Sequence, residues 1–169
     1  MRTRITKNQT KALLDLGADI PLERVTPYME ILRTHAYSMG NHSGRKVIDP
    51  DGTRTASPEG IMYKIYMNLS IGDLMNRLPP FIPYGDPLLF EGAYTFDIKF
   101  KDGKWVATYN DGDKILFESG KCDRMIDALF ESYCFILQYA KNHNISDIKI
   151  PEIDDDDELD DDYLFTGRV

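Results

Sequence analysis

Cysteine and histidine are scarce in this sequence, and their scarcity excludes several kinds of chemistry. The cysteines, Cys122 and Cys134, are two in number and twelve positions apart, which gives neither a disulfide framework nor a C-x-x-C motif. The histidines His35, His42 and His143 stand alone, without a second metal ligand at a suitable spacing. We therefore predict no metal site, no cofactor site and no thiol nucleophile, and we expect a reducing compartment.

Catalytic sequence motifs are also missing. Neither H-E-x-x-H nor G-x-S-x-G occurs anywhere in the chain. The segment Asp49–Gly52 begins like a calcium-binding loop, but its glycine is the fourth residue instead of the sixth, and position 12 is Gly60 instead of a glutamate. We interpret this segment as a turn. We predict no catalytic residues, and an enzyme is the class that the sequence supports least.

Long apolar runs are absent as well. No stretch approaches the roughly 18 consecutive apolar residues that a membrane helix needs. The first residues, Met1–Arg4, lead into polar residues and not into the apolar region of a signal peptide. We therefore expect a cytoplasmic protein without a membrane partner.

The chain lacks the basic excess of a protein that binds the phosphate backbone of nucleic acids. The net charge is −8, from 28 acidic and 20 basic residues. Residues 152–169 contain nine of the acidic residues and one of the basic residues. Residues 1–151 therefore contain 19 residues of each sign. Direct nucleic-acid binding is therefore not expected. The same division predicts a single domain over residues 1–151, followed by an acidic and disordered C-terminal tail over residues 152–169.

Apolar periodicity predicts an α+β fold for the domain. An antiparallel meander of three to four strands should pack against a long C-terminal helix from about residue 123 to residue 142. The three clear strands are Tyr94–Phe100, Trp105–Tyr109 and Ile115–Glu118, and Ile145–Ile153 is a candidate for the fourth, at an edge.

The N-terminal half predicts short helices around a long loop. One helix ends at Gly17, a second begins near Thr26-Pro27 and continues to about His35 or Tyr37, and a third runs from Ser70 to Leu78. Residues 39–60 form a loop insertion rich in Gly, Ser, Pro and Asp. The run Ile61–Met67 is compatible with a short strand or with the start of a helix.

Several short motifs occur in a recognisable order. They are Thr6–Gln9 leading to Leu16-Gly17, then Ser70–Leu74, Trp105–Tyr109 and Ile126–Glu131. Together they resemble a loose family of small uncharacterised proteins encoded by phages, prophages and mobile elements of gut anaerobes. The resemblance implies an origin, and hence the cytoplasm of the host cell, but no particular activity. The predicted strand–strand–strand–helix order also resembles HicB-type antitoxins in topology alone, which does not specify a function.

The acidic tail carries the predicted partner-binding residues. A dense run of carboxylates is closed by three apolar side chains, a composition that suits docking in a basic groove with an apolar pocket. A purely solubilising role fits the charges equally well, although it does not require the apolar end. The residues concerned are Asp154, Asp155, Asp156, Asp157, Glu158, Asp160, Asp161, Asp162, Tyr163, Leu164 and Phe165.

These patterns favour a non-enzymatic protein that binds an unidentified host or phage protein. Three alternatives remain open: a DNA mimic that blocks a host nucleic-acid-binding or defence protein, an antitoxin-like transcriptional regulator, and a virion component. Trp105 with Lys99, Lys101 and Lys104 would suit a base-stacking platform, but a tryptophan on a sheet covered by a helix more often belongs to the core. The sequence predicts neither the partner nor the oligomeric state.

Overall fold

The computed structural model describes residues 1–27, 61–153 and 165–168. They belong to two compact units, of which the first comprises Met1–Asp19 with Asn68–Leu159 and the second comprises Ile20–Met67 with Asp160–Val169. The elements in chain order are helix α1 (Lys7–Asp15), strands β1 (Leu22–Pro27) and β2 (Ile61–Tyr66), helix α2 (Ile71–Arg77), strands β3 (Phe81–Tyr84), β4 (Gly92–Lys101), β5 (Lys104–Asn110) and β6 (Ile115–Glu118), helix α3 (Met125–Lys141), a 3₁₀ turn (Ile145–Asp147) and strand β7 (Phe165–Arg168).

A four-stranded antiparallel meander forms the sheet of the first unit. The strands lie in chain order, β3-β4-β5-β6, and helix α3 packs against β5 and β6. Asp102 and Gly103, between β4 and β5, both have positive φ angles of 54° and 77°, as a type I′ hairpin turn requires. The predicted α+β class and the long C-terminal helix on a meander are therefore confirmed.

The fourth strand is Phe81–Tyr84, and the prediction of an edge strand at Ile145–Ile153 was wrong. After the 3₁₀ turn the backbone is irregular, and the amide of Gln138 on α3 bonds both backbone groups of Lys149, at 2.7 and 3.1 Å. Ile148 and Ile150 then pack against the core. The side chain of Gln138 thus satisfies the backbone groups of Lys149 that a neighbouring strand would otherwise bond.

The C-terminal end of α1 and both ends of α2 lie where the sequence predicts them. Thr6 and Gln9 form a capping box at the start of α1, and Ser70 and Asp73 form another at the start of α2. Gly17 follows α1 with φ of +88°, and the amides of residues 17 and 18 bond back to the carbonyls of residues 14 and 13. This is a Schellman motif, in which glycine takes the left-handed position without steric cost.

The second unit contains an antiparallel sheet in the order β1-β2-β7. The prediction that a helix begins near Thr26-Pro27 was wrong, because these two residues end strand β1 and pair with Tyr63 and Met62. A residue before proline is pushed away from the helical region, and β1 is an outer strand, where proline is tolerated. The rest of that predicted helix, to residue 37, and the predicted loop at 39–60 lie outside the described residues.

The strand alternative for Ile61–Met67 is confirmed by β2. Its other neighbour is β7, in which Phe165 pairs with Lys64 and Arg168 pairs with Ile61. The prediction of a disordered tail was therefore wrong for Phe165–Arg168. Hydrogen bonds between strands that lie about a hundred positions apart leave no local pattern in the sequence.

Three aromatic side chains form a buried cluster between the sheet and α3 in the first unit. Tyr109 of β5, Phe117 of β6 and Phe135 of α3 are buried together, and Phe135 stacks on Phe117 at 4.6 Å between ring centroids. The Tyr109 hydroxyl donates to the carbonyl of Pro79 at 2.8 Å, and burial raises the pKa of this phenol. Burying each ring contributes roughly 1.5–3 kcal/mol, so this cluster fixes α3 on the sheet.

We predict that Gly92→Ala destabilises the protein while Gly72→Ala does not. A methyl group at Gly92 would overlap the Tyr84 ring, which cannot move without losing its hydrogen bond to Asp111 and its contact with Tyr94. We expect a loss of about 1–2 kcal/mol in the free energy of unfolding, measured by urea denaturation. At Gly72 the nearest atom would be 3.8 Å away, so alanine should be neutral or stabilising. Equal effects of the two variants would contradict the packing described.

Candidate functional site

The connection between β3 and β4 exposes three consecutive apolar side chains. We call residues 85–91 the apolar loop; its sequence is Gly-Asp-Pro-Leu-Leu-Phe-Glu. Leu88 is 92% exposed, Leu89 71% and Phe90 67%. Single exposed apolar residues are ordinary on protein surfaces. A run of three exposed apolar residues is unfavourable for a folded protein in water and is expected only where it has a function. Exposed apolar groups that lie together are typical of interaction surfaces, so we take the apolar loop as the candidate functional site.

The backbone of the apolar loop is held by one residue, Asp86. Its carboxylate accepts a hydrogen bond from the amide of Leu88 at 2.9 Å. Its carbonyl accepts from the amides of Leu89 at 3.0 Å and Phe90 at 3.2 Å. Three successive amides are therefore satisfied within the turn, which holds the backbone that carries the exposed side chains.

The base of the apolar loop is closed by two side chains that lie over glycines. Glu91 folds over Gly85, which has φ of +84°, and the ring of Tyr84 lies across Gly92 on the neighbouring strand. The Tyr84 hydroxyl donates to the carboxylate of Asp111 at 3.1 Å, and this bond raises the pKa of the phenol. Both ends of the apolar loop are therefore packed against neighbouring side chains.

The backbone conformation of Phe90 is unfavourable for a phenylalanine. Its φ is +41°, in the left-handed region that only glycine adopts without cost. The cost for other residues is roughly 1–2 kcal/mol. The exposed ring of Phe90 recovers little of it by burial within the chain. A strained and exposed aromatic residue supports a functional role for the loop.

Carboxylates surround the apolar loop at this edge of the sheet. Asp86 and Glu91 belong to the loop, and the turn between β5 and β6 supplies Asp111 and Asp113. The bond from Tyr84 to Asp111 places that turn beside the base of the loop. The backbone amides of Lys114 and Asp113 donate to the Asp111 carboxylate and hold its pKa below the usual value, so it carries its charge at neutral pH. The apolar tip therefore has a carboxylate on each side in the chain, and a charged Asp111 lies beside the base of the loop.

The sheet face opposite α3 carries a second surface, which we call the lysine face. Strand residues alternate between the two sides of a sheet, so this face is formed by the neighbours of the buried core residues. It contains a depression of about 470 Å³. Its lining includes four lysines, three carboxylates and two apolar side chains, namely Lys99, Lys101, Lys114, Lys121, Asp97, Asp113, Glu118, Val106 and Ile115.

Trp105 does not share the lysine face. It pairs with Phe100 across the hairpin, their ring centroids are 5.0 Å apart, and both lie on the side of the sheet that faces α3. Lys99 and Lys101 point to the other side. The aromatic and basic groups of a base-stacking platform are therefore separated by the sheet.

The two thiols lie where the thiolate is disfavoured. Cys122 is half-buried, with its Sγ 3.8 Å from the carboxylate of Glu131, and burial together with that charge raises the pKa of the thiol to about 12. Cys134 is buried within α3, and burial raises its pKa as well. A thiol acts as a nucleophile only as the thiolate. Among the described residues, no group of three or more His, Cys, Asp or Glu side chains is placed to hold a metal ion.

The predicted partner-binding residues fall almost entirely outside the described part of the chain. This applies to Tyr163, Leu164 and every acidic residue of the run that begins at Asp154. Phe165 is the first residue of β7 and pairs with Lys64, so it is part of a sheet. The sequence analysis missed the apolar loop. The available signal was three apolar residues directly after Asp86-Pro87, a pair typical of turns.

No protein-family model, curated protein or solved structure matches this chain. The resemblances to phage-encoded proteins and to HicB-type antitoxins therefore stay predictions. In the described ranges, no helix has the length and apolar character needed to cross a membrane.

We predict that Phe90→Asn stabilises the fold. Asparagine tolerates the left-handed conformation better than phenylalanine does, and Phe90 buries little surface within the chain. The free energy of unfolding should rise by about 0.5–1 kcal/mol in urea denaturation. Leu89→Asn is the matched control, because Leu89 is equally exposed but has a negative φ, and it should bring no gain. If Phe90→Asn destabilised the protein more than the control, Phe90 would be a packing residue.

Proposed function

We propose that this protein is a non-enzymatic protein-binding module whose apolar loop docks in an apolar pocket of its partner. The observation that carries the proposal is the exposure of Leu88, Leu89 and Phe90 on a turn whose amides are already bonded. Aromatic anchors carry much of the energy of protein–protein interfaces, a role that suits Phe90, and the two leucines add apolar surface beside it.

The energetics of the loop favour binding. Burying a leucine or phenylalanine side chain contributes roughly 1.5–3 kcal/mol. Binding also costs the ordering of loops and side chains, and a turn that is already ordered avoids much of that cost. The bonds to Asp86 and the contacts of Tyr84 and Glu91 supply this order before any partner arrives.

A binding role agrees with the chemistry of the described residues better than catalysis does. Both cysteines are protonated at neutral pH because burial raises the pKa of each thiol. The depression on the lysine face is lined by four lysines and three carboxylates. The Nζ atom of Lys99 lies 3.1 Å from Oδ2 of Asp97, so these two residues form an ion pair. Such a mixture of the two signs lacks the basic excess of a nucleic-acid groove.

The acidic tail remains a second candidate for partner contact. Its carboxylates, within residues 154–162, lie outside the described residues, and their charge has the same sign as that of Asp86 and Glu91. A partner with basic groups around an apolar pocket would suit both segments.

The proposal is tested by comparing three immobilised baits in a lysate of the source cells. The baits are the full chain, the triple variant Leu88→Ser/Leu89→Ser/Phe90→Ser, and a control, Met75→Ser/Ile145→Ser, which removes exposed apolar groups elsewhere. Proteins identified by mass spectrometry are then purified and titrated. We expect the triple variant to bind at least about tenfold more weakly, because tenfold corresponds to 1.4 kcal/mol and each lost side chain is worth more.

The control variant should bind like the full chain, since isolated apolar residues contribute little. All three baits should give the same circular dichroism spectrum, because the replaced side chains are exposed. A partner that binds the triple variant with unchanged affinity would show that the apolar loop is not the docking site.

A further inference from the structure

We infer that Tyr84 and Asp111 are positioning residues for the apolar loop: their hydrogen bond ties the loop to the turn between β5 and β6 and holds it in the arrangement that binds. This inference rests on the proposed function, because it concerns the same loop and names what controls its affinity. Three observations carry it, namely the path of the Tyr84 ring, the partners of the two Asp111 oxygens, and the scarcity of other bonds at the end of β3.

The Tyr84 ring touches both ends of the apolar loop. Tyr84 is the last residue of β3 and pairs with Gly92, the first residue of β4, so these two residues flank the loop. The hydroxyl end of the ring lies over Gly92, in the space that a side chain would fill there. The hydroxyl then donates to Oδ2 of Asp111 at 3.1 Å, beyond the end of β5. The absence of a side chain at Gly92 therefore lets the phenol cross β4.

The two carboxylate oxygens of Asp111 have different partners. Oδ1 accepts hydrogen bonds from the amides of Asp113 at 2.9 Å and Lys114 at 2.6 Å, within its own turn. Oδ2 accepts the hydrogen bond from Tyr84. The backbone amide of Asp111 also donates to the carbonyl of Lys114 at 3.1 Å. Asp111 is therefore fixed by its turn independently of Tyr84, so it can serve as an anchor for the loop.

Few other bonds attach the loop to the sheet. Strand β3 is an outer strand of four residues, and its third residue, Pro83, has no amide hydrogen to donate. The bonds that Asp86 accepts lie within the loop, so they order its tip without attaching it to another element. Within the described residues, the bond from Tyr84 to Asp111 is the side-chain hydrogen bond that joins residues 84–91 to the rest of the sheet.

Loss of this bond should loosen the loop and leave the sheet folded. Tyr84 does not belong to the buried cluster that fixes α3 on the meander. A loop that moves in the free protein must be ordered when it binds, and that ordering lowers the affinity. The turn between β5 and β6 thereby influences a binding surface on a different hairpin.

The test is backbone ¹⁵N relaxation on the free full-length chain with Tyr84→Phe, which removes the hydroxyl and keeps the ring. We expect the order parameters of Leu88, Leu89 and Phe90 to fall from about 0.85 toward about 0.6, while those of β4 and β5 stay unchanged. Tyr94→Phe is the matched control. Its ring centroid is 4.9 Å from that of Tyr84, and its hydroxyl makes no hydrogen bond with the described part of the chain, so the loop should not change.

Variants at Asp111 separate the hydrogen bond from the charge. Asp111→Ala should lower the same order parameters, and combining it with Tyr84→Phe should lower them no further, because both changes break one bond. Asp111→Asn should preserve them, since its Oδ1 still accepts from the turn amides and its NH₂ group can donate to the Tyr84 oxygen. Equal losses in Asp111→Asn and Asp111→Ala would contradict a role for the hydrogen bond.

The affinity is measured with the partner that the pull-down identifies through the triple serine variant. Tyr84→Phe should weaken its binding by about threefold to tenfold, the cost of ordering the loop, and Tyr94→Phe should not. Unchanged order parameters in Tyr84→Phe would overturn the inference, because Asp86 alone would then hold the loop. The proposed function would still stand in that case, provided that the triple serine variant loses the partner.

Discussion

The packing of Phe135 against Tyr109 and Phe117 is the interaction on which the union of helix and meander in the first unit depends. It fixes α3 on the central and outer strands of the meander, and the sheet in turn sets the position of every hairpin. A four-residue strand such as β3 has too little surface to fold alone, so it relies on its pairing with β4 and on Ile82 beside the core. The aromatic cluster thus determines where the apolar loop stands.

The apolar loop is unusual because packing at its base and hydrogen bonds along its backbone hold three hydrophobic side chains in water. Gly85 and Gly92 make room for Glu91 and Tyr84, and Phe90 accepts an unfavourable backbone conformation. Without a binding role, a shorter polar hairpin would be more stable and less prone to aggregation. The same end of the sheet is acidic, which keeps the apolar tip soluble and restricts the partners that fit it.

Local sequence patterns predicted the parts of the fold that are held together locally. The helix start at Ser70, the glycine after α1 and the adjacent strands at Tyr94–Phe100 and Trp105–Tyr109 are confirmed, because each is decided by residues close together in the chain. The errors involve distant contacts. Gln138 replaces a neighbouring strand for Lys149, and β7 pairs with a strand a hundred positions earlier. The apolar loop was missed for a related reason, since exposure depends on the whole fold and Leu-Leu-Phe has the composition of a core segment.

The apolar loop should be ordered in the free protein, and backbone ¹⁵N relaxation by NMR measures this most directly. If the bonds to Asp86 hold the turn in solution, the amides of Leu88, Leu89 and Phe90 should have order parameters of about 0.85, like those of strands β4 and β5. Values below about 0.6 at these three amides, beside rigid flanking strands, would contradict the account, because the loop would then be a flexible connection and not a preformed docking element.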